Sequence, residues 1–481
     1  MVNASGSIKR ALLMALGLLV ALVTLAMAAL LYLGIPQNAA GMAAKGVCSA
    51  AFVAGRPWQN LLADDVLPAS PVLGLISIAV DEKTSSVTAK FANLFARQAV
   101  LLAQRGCVLD VAPGSAPAAL AKRPGAQVEE KPWPQGEAAL PVAQWPPGVD
   151  ASALQTVVDQ SFVGAGDALA ANARAVAVVH QGRLLLLRTA PGFASGTPLH
   201  GWSMSKTVNG MLMHKLSVDT QLSLDSAVVD AFSPAREPAW VASWRKDERK
   251  NIKVSDLLYM RDGLASTEDY DPWGSVPKML WGQSDVAAFA AQSPAQAAPG
   301  ARWRYLSATA NLMAGVARGR FISDADYWAY PTKALFEPIG ASSAVLETDN
   351  GGNWVGSSYV WASVGDWARL GQLMLNDGRW GDVQVLPPGW LKLAGTPSTT
   401  QGEGLGYGAH SWLIGNTVAG ECKGYASVPA DTVAMMGHWG QVVAMVPSRE
   451  AVIVRLGWTF KKSQFDACAL VADVLKALPR K

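Results

Sequence analysis

The residues best placed to do chemistry are a serine and a lysine three positions apart, Ser203 and Lys206. Apolar residues recur at helical spacing from Met204 to Leu216, which predicts a helix whose first turn carries the serine. The lysine then lies over the serine on one helix face, where its amine can share a proton with the hydroxyl. Main-chain N–H groups of a first turn lack helical partners, so one can bind an oxyanion. The pattern indicates a nucleophilic serine.

The same spacing of serine and lysine occurs twice more, in pairs that begin at Ser243 and Ser275. The pair at Ser243 lies in a densely charged run, which is typical of a solvated surface. The pair at Ser275 contains Pro277, which disfavours a regular helix interior. Only the pair at Ser203 opens an amphipathic helix, so it is the candidate for catalysis.

A second candidate is Tyr305, which is followed two positions later by Ser307. The tyrosine precedes the apolar helical run Ala310 to Val316, so it is expected on a turn that faces a cleft. A phenol beside a lysine ammonium would have a lowered pKa, which suits a group that relays a proton. The same Tyr-x-Ser pattern at Tyr425 shows that this motif alone carries little weight.

A third candidate is the run from Gly437 to Gln441, with the sequence Gly-His-Trp-Gly-Gln. Glycines interrupt an otherwise strand-like stretch there. A glycine inside a strand pattern often marks a place where a ligand approaches the backbone. The run is therefore a candidate wall of a binding cleft.

Taken in order, these stretches resemble the three motifs of the serine β-lactamase and penicillin-binding-protein superfamily: Ser203-x-x-Lys206, Tyr305-x-Ser307 and His438-Trp439-Gly440. The chain is similar in particular to the class C-related branch of esterases and 6-aminohexanoate-dimer hydrolases. The resemblance covers about Asp150 to the C-terminus. Three ordered motifs are far more specific than any one of them.

The resemblance implies that Ser203 is the acylated nucleophile. It implies that Lys206 and Tyr305 share the general base and acid work, and it leaves open which takes the first proton. The main-chain N–H groups of Ser203 and Gln441 would form the oxyanion hole. It also implies substrate contacts at five positions, Tyr270, Ser307, His438, Trp439 and Gly440.

The chain departs from the common pattern of this superfamily at two positions. Ser307 stands where many relatives have asparagine, and His438 stands where many have lysine. Histidine is mostly neutral near pH 7, so the motif lacks a permanent cation that could hold a substrate carboxylate. This argues against efficient β-lactam hydrolysis. A Gly-x-Ser-x-Gly elbow is also missing, because Ser205 stands where its second glycine would be.

Elements from both ends of this region must position the motifs. Period-two runs predict a hairpin at Ala175–His180 and Arg183–Arg188 and three C-terminal strands, namely Val433–Met436, Gln441–Val446 and Ala451–Leu456. Helical periodicity predicts helices at Val254–Met260, Val364–Leu375 and Phe465–Leu478. We therefore expect one sheet built from both ends with a helical region inserted between them. This arrangement is of the α+β class, and the resemblance implies a β-lactamase/transpeptidase-like fold, in which helices flank an antiparallel sheet.

Composition excludes several other classes of function. The net charge is +3 and the basic residues form no long stripe, so a nucleic-acid partner is not expected. The five histidines are not clustered and no Cys-x-x-Cys occurs, so neither a metal site nor another cofactor is expected.

The N-terminus contains an uncharged run from Ala11 to Ile35 that follows Lys9 and Arg10. A membrane-spanning helix needs about 20 apolar residues, whereas a signal peptide usually has about 7–15. Length therefore favours an inner-membrane anchor, with residues 1–10 in the cytoplasm and the catalytic region in the periplasm. The alternative is a cleaved signal and a secreted periplasmic protein, supported by the small residues of 38–44.

Between anchor and catalytic region we expect a small β-rich segment, 36–112, and a Pro/Ala-rich linker or surface strap, 113–149. The segment's strands are predicted at Leu73–Val80, Val87–Phe91 and Ala99–Val111. The hydrolase domain is 150–481. Four cysteines suit an exported chain and allow three connectivities. We expect Cys48 with Cys107 and Cys422 with Cys468, because each pair brackets one segment.

The leading hypothesis is a serine hydrolase that cleaves an amide or ester bond of a small molecule. The substrate would be an amide like a 6-aminohexanoate oligomer, a carboxylic ester or a peptide. The alternatives are a non-catalytic module that binds cell-envelope peptides, and a D-amino-peptidase or weak β-lactamase. A binding module has no need to retain Ser203, Lys206 and Tyr305 together, which favours the enzyme.

Overall fold

The computed structural model describes residues 4–110, 131–163, 172–399 and 402–480. The helices of this part are α1 Ala4–Tyr32, α2 Ile35–Cys48, α3 Ala151–Gln160, α4 Met204–Asp219, α5 Ala239–Trp244, α6 Val254–Leu258, α7 Ser275–Gly282, α8 Val286–Ala291, α9 Ser307–Arg318, α10 Asp324–Pro331, α11 Val364–Leu375, α12 Trp390–Gly395 and α13 Ala467–Ala477. The strands are β1 Ile76–Asp81, β2 Ser86–Phe91, β3 Phe95–Leu102, β4 Gly106–Leu109, β5 Ala173–His180, β6 Arg183–Thr189, β7 Leu199–His200, β8 Val345–Leu346, β9 Val360–Ala362, β10 Arg379–Trp380, β11 Val383–Gln384, β12 Trp412–Leu413, β13 Val433–Gly437, β14 Gln441–Val446 and β15 Ala451–Gly457.

The central sheet is antiparallel and has the strand order β12-β13-β14-β15-β5-β6. Its C-terminal strand β15 pairs with its N-terminal strand β5, with Ile453 opposite Val178. The prediction that both ends of the domain build one sheet is confirmed. Helices α4 to α10 lie between the two sets of strands in the chain, which confirms the inserted helical region.

Alternate residues of the central strands enter two separate hydrophobic cores. Val443 and Val452 face the core that contains α11, whereas Val442 and Ile453 face the core that contains α3 and α13. This follows from the two-residue period of a strand. The close approach of α11 requires a glycine, because a Cβ at Gly371 would lie 2.6 Å from the Val452 side chain.

The N-terminal segment contains a four-stranded antiparallel sheet in the order β1-β2-β3-β4. The predicted single strand Ala99–Val111 is wrong, because the chain turns between β3 and β4. Gln104 and Gly106 both have positive φ in that turn. The segment also contains α2, which was not predicted. Pro36 follows the apolar run and lies in the first turn of α2, a position where proline is favoured.

Helix α2 joins this segment to the catalytic domain, because it packs against β2, β3 and α7. Its Lys45 forms a buried ion pair with Glu347. Three further donors reach the same carboxylate, the Cys107 N–H at 2.7 Å, the Trp361 Nε1 at 2.8 Å and the Ser49 hydroxyl at 2.9 Å. Residues 36–110 therefore share a core with the hydrolase domain.

Both predicted disulfides are present, Cys48–Cys107 and Cys422–Cys468. Of the predicted linker, residues 113–130 lie outside the described residues. The remaining part runs along the catalytic domain as a strap. Its Trp133 is buried, and its Glu137 accepts a hydrogen bond of 2.7 Å from Arg369 Nη1.

Helix α1 is long and apolar enough over Leu12–Tyr32 to cross a membrane. Large apolar side chains along it, such as Leu13, Met14 and Leu25, are exposed. An N-terminal signal sequence has the same properties, so the choice between anchor and signal stays a prediction.

Candidate active site

Ser203 lies at the sharp turn between β7 and α4, at the N-cap position of α4. The preceding Trp202 has a left-handed φ of 48°. Gly201 has no space for a side chain, since a Cβ there would lie 2.2 Å from the Trp367 ring. The Ser203 side chain is half-buried, and its N–H donates none of the hydrogen bonds found among the described residues. That N–H is available to an oxyanion.

Lys206 lies one helical turn from the serine and is buried in the domain core. Its Nζ is 3.0 Å from Ser203 Oγ, 3.0 Å from Ser307 Oγ and 3.2 Å from the Ser357 carbonyl oxygen. Burial lowers the pKa of the Lys206 amine to about 8, and the Glu268 carboxylate opposes that shift. The amine can therefore act as a base near neutral pH.

Tyr305 lies beside this pair, with its ring centroid 4.7 Å from Lys206 Nζ. Removal of its hydroxyl from water raises the pKa of Tyr305, and the Glu268 carboxylate raises it further, while a hydrogen bond with Ser203 acts in the opposite direction. The predicted lowering of this pKa is wrong. The expectation considered only a nearby ammonium, whereas the burial of the phenol and the Glu268 carboxylate determine the direction of the shift. Tyr305 is suited to remain a proton donor.

Ser307 begins helix α9 and is completely buried. Its N–H donates to Glu268 Oε2 at 2.6 Å, and its Oγ donates to Glu268 Oε1 at 2.7 Å. The predicted substrate contact at Ser307 has no support from this position. The residue instead joins Lys206 to Glu268.

Glu268 is the site residue that sequence reasoning missed. The residue predicted in this loop was Tyr270, two positions later. Its hydroxyl donates a hydrogen bond to Glu268 Oε1 at 3.0 Å. Tyr270 is 38% exposed, and its ring stacks on His438 with centroids 5.1 Å apart. The predicted substrate-contacting Tyr270 is thus at the rim, where a ligand can reach it.

The third motif forms the turn between β13 and β14. Trp439 and Gly440 have positive φ there. The Trp439 ring packs edge-on against Trp202, with centroids 5.1 Å apart. Gly440 lies against Arg455, so a Cβ would be 2.5 Å from Nη1. His438 and Trp439 therefore lie next to the nucleophile turn. The predicted substrate contacts of His438, Trp439 and Gly440 stay predictions.

Gln441 is buried behind this turn. Its side-chain Nε2 donates to the His438 carbonyl at 2.9 Å and to the Gly457 carbonyl at 2.6 Å. Gln441 is also the ladder partner of Gly437. Opposite residues of an antiparallel ladder alternate between pairs that exchange two hydrogen bonds and pairs that exchange none. If Gln441 and Gly437 exchange two hydrogen bonds, the Gln441 N–H is used within the ladder. If they exchange none, this N–H can face the cleft. The predicted oxyanion role of Gln441 stays a prediction.

The other candidates from the sequence have different partners. Ser243 Oγ accepts a hydrogen bond of 3.0 Å from Arg249, and Ser275 Oγ donates to the Thr267 carbonyl at 2.5 Å. Tyr425 donates its hydroxyl proton to Asp466 at the surface. Within the described ranges, no group of three or more His, Cys, Asp or Glu side chains could hold a metal ion.

Comparison with solved structures finds the same fold in proteins of low sequence identity. A protein from Bacillus anthracis described as a 6-aminohexanoate-dimer hydrolase has a TM-score of 0.52 at 18% identity, over 68% of this chain and 83% of that one. A penicillin-binding-protein homologue from Caulobacter crescentus has a TM-score of 0.52 at 16% identity, over 71% and 98%. A family VIII carboxylesterase has a TM-score of 0.52 at 12% identity, over 69% and 97%. At these identities the likeness shows the fold alone.

Among curated proteins no match was found. The model of the Beta-lactamase family matches residues 158–475. This range includes all three motifs and covers more than half of the chain. The chain therefore belongs to the β-lactamase family, within the serine β-lactamase and penicillin-binding-protein superfamily of serine hydrolases.

Proposed function

We propose that the protein hydrolyses an amide or ester bond of a small molecule through an acyl-serine intermediate on Ser203. One observation carries this proposal: a buried lysine with a pKa of about 8 lies 3.0 Å from the hydroxyl of a serine at a helix N-terminus. A serine hydroxyl needs such a neighbouring base to become a nucleophile. A module that only binds peptides has no need for this arrangement.

In the first step Ser203 Oγ attacks the carbonyl carbon of the substrate, and its proton passes to Lys206 Nζ. Lys206 is the first base, because the raised pKa of Tyr305 keeps the phenol protonated. The carbonyl oxygen becomes an oxyanion beside the Ser203 N–H. The bond to the leaving nitrogen or oxygen then breaks as Tyr305 donates a proton to it. Tyr305 regains a proton from Lys206, which leaves an acyl-serine and both side chains as they began.

In the second step water attacks the acyl carbonyl carbon and gives one proton to Lys206. The bond to Ser203 Oγ breaks, and the serine takes that proton back. The sum is one carbonyl compound and one water converted to one carboxylic acid and one amine or alcohol. No redox partner is needed.

The preferred substrates in this proposal are linear amides like 6-aminohexanoate oligomers, and carboxylic esters. The named structural relatives include proteins described by both activities, although that likeness concerns the fold. The aromatic rim of Tyr270, His438 and Trp439 favours an apolar segment next to the scissile bond. A rim histidine in place of a fixed cation makes a β-lactam carboxylate a weaker ligand.

The test is a hydrolysis screen of the purified protein with short-chain esters, linear 6-aminohexanoate amides, D-amino peptides and a chromogenic β-lactam. We expect turnover of an ester or linear amide that is abolished in Ser203→Ala. Binding of cell-envelope peptides without turnover of any class would contradict the proposal and favour the recognition module.

We also propose that α1 anchors the protein in the inner membrane with the catalytic domain in the periplasm. The exposed apolar helix supports an anchor, and the two disulfides suit an oxidising compartment. Carbonate extraction of membranes tests it, because a cleaved or peripheral chain would be released into the soluble fraction.

A further inference from the structure

Donors and acceptors in the hydrogen bonds around Ser307 can be assigned in only one consistent way. A serine hydroxyl has a single proton. The Ser307 Oγ lies 2.7 Å from Glu268 Oε1, and a carboxylate can only accept, so the hydroxyl proton points at Glu268. The contact of 3.0 Å between Lys206 Nζ and Ser307 Oγ must then be donated by the lysine. The Ser307 hydroxyl is thus an obligatory acceptor toward Lys206.

This direction determines where the lone pair of the neutral lysine points. A neutral amine has two hydrogens and one lone pair. The Ser307 Oγ and the Ser357 carbonyl oxygen, at 3.0 and 3.2 Å, accept the two hydrogens. The remaining neighbour is Ser203 Oγ at 3.0 Å, so the lone pair faces the hydroxyl that must lose its proton. A general base needs this orientation.

We infer that Glu268 is a positioning residue of this active site, which holds the Ser307 hydroxyl as an acceptor so that Lys206 presents its lone pair to Ser203. The inference rests on the proposed function and adds a residue that none of the three motifs contains. Glu268 is itself held in place, since it accepts from the Ser307 N–H at the start of α9 and from the Tyr270 hydroxyl. A carboxylate at a helix N-terminus is also favoured by the helix dipole.

The charge of Glu268 has a second, separable effect on the same site. It raises the pKa of Lys206, opposing burial, and it raises the pKa of Tyr305, Tyr270 and Tyr407. Two other titratable groups lie against Lys206. Tyr305 has a raised pKa and stays protonated, and burial lowers the pKa of His410 to about 4, so both are neutral at the working pH. Removal of the Glu268 charge should therefore lower the pKa of Lys206.

The test compares Glu268→Gln and Glu268→Asp with a matched control, Asp269→Asn, by steady-state kinetics across pH. A glutamine has one oxygen and one NH₂ group, so it cannot accept both from the Ser307 N–H and from the Ser307 hydroxyl. We expect Glu268→Gln to reduce kcat on the order of 10²-fold with little change in KM, since a small misplacement of a base has such an effect. The acidic limb of its pH profile of kcat/KM should move to lower pH, because loss of the Glu268 charge lowers the pKa of Lys206.

Glu268→Asp keeps the charge on a shorter side chain, so it should keep the wild-type acidic limb while losing part of kcat. Asp269→Asn should match the wild type, because Asp269 Oδ1 accepts from the N–H of Asp271 in its own loop, a bond that an asparagine oxygen can also accept. Urea unfolding of each variant reports its stability. If Glu268→Gln does not fold, Glu268→Asp with full kcat contradicts the inference and reduced kcat supports it.

Two results overturn different statements. A Glu268→Gln variant that is folded, with wild-type kcat and an unmoved acidic limb, overturns the role of Glu268 and leaves the acyl-serine mechanism intact. A wild-type protein that neither turns over any substrate nor reacts with a fluorophosphonate overturns the proposed function itself.

Discussion

At the scale of single residues, burial makes Lys206 and Tyr305 unlike in their readiness to lose a proton. In water their pKa values are similar, near 10. In the protein the Lys206 pKa is about 8, and that of Tyr305 is raised above its ordinary value. Near neutral pH the lysine is the group that can accept a proton and the tyrosine the group that can donate one. Their roles follow from this difference.

The acylation rate should therefore rise with pH up to about the Lys206 pKa of 8. Below that pH the amine is mostly protonated and has no lone pair for Ser203. Above it the free amine predominates, and the rate should level off until Tyr305 ionises. The measurement is the rate constant of fluorophosphonate labelling from about pH 6 to about pH 9.5. A flat or falling profile over that range would show that Lys206 is not the base.

The sequence was sufficient to predict that Lys206 lies beside Ser203, because a spacing of three residues on a helix is a local relation that periodicity reveals. It was not sufficient for Glu268. Its partner Ser307 lies on another element, 39 positions away in the chain. The Tyr305 pKa was predicted with the wrong sign for a similar reason: it depends on the burial of the Tyr305 hydroxyl and on the Glu268 carboxylate, and no local pattern shows either.

At the scale of elements, the turn between β13 and β14 is held from behind by the Gln441 side chain. Its Nε2 donates to carbonyl groups of the turn, and its Oε1 accepts from the Gly457 N–H at 2.9 Å. The buried Arg455 also donates to the Gly440 carbonyl, at 2.8 Å. The turn's position next to Trp202 thus depends on polar side chains inside the sheet.

Gln441→Ala should destabilise the protein by about 1–3 kcal/mol, because it removes the hydrogen bonds that the Gln441 amide makes with the buried N–H and carbonyl groups of Gly457. It should also lower kcat/KM by loosening the turn. Urea unfolding and ester kinetics measure the two effects. Gln384→Ala is the matched control, since its exposed amide also bonds carbonyl groups of a hairpin, and we expect a change within about 0.5 kcal/mol. Equal stability of the two variants would refute the role of Gln441.

Elements with a clear period were predicted with bounds correct to within two residues. Helix α11 begins and ends at the predicted residues, and the hairpin of β5 and β6 lies where the alternation placed it. Helix α2 was missed because its small residues resemble a cleavage region. Their size has a packing reason instead: a Cβ at Gly41 would lie 2.8 Å from the Trp281 carbonyl oxygen of α7.

At the scale of the whole molecule, the segment before the strap is joined to the catalytic domain by buried polar contacts. Besides Lys45 and Glu347, the Asp65 carboxylate pairs with Arg174 of β5. The Asp65 carbonyl accepts from Trp458 Nε1 at 2.9 Å. The sequence predicted a small β-rich segment but not these contacts, because no local pattern shows that Lys45 and Glu347, 302 positions apart, form one pair.

Glu347→Gln should cost about 3–5 kcal/mol of unfolding free energy, because it leaves the Lys45 ammonium buried without its counter-charge. A second change, Lys45→Met, should restore part of that loss. The measurement is urea unfolding of the three forms, with the exposed Glu337→Gln as control, for which we expect a change within about 0.5 kcal/mol. If Glu347→Gln unfolds with the wild-type midpoint, the two parts of the chain are not coupled through this pair.

The most direct test of the central claim is the site of covalent labelling. The protein is treated with a fluorophosphonate, digested and analysed by mass spectrometry. We predict one adduct, on the peptide that contains Ser203, which is absent in Ser203→Ala and retained in Ser243→Ala and Ser275→Ala. These two controls have the same Ser-x-x-Lys spacing without the buried amine beside the hydroxyl. Labelling that persists in Ser203→Ala, or disappears in either control, would contradict Ser203 as the nucleophile.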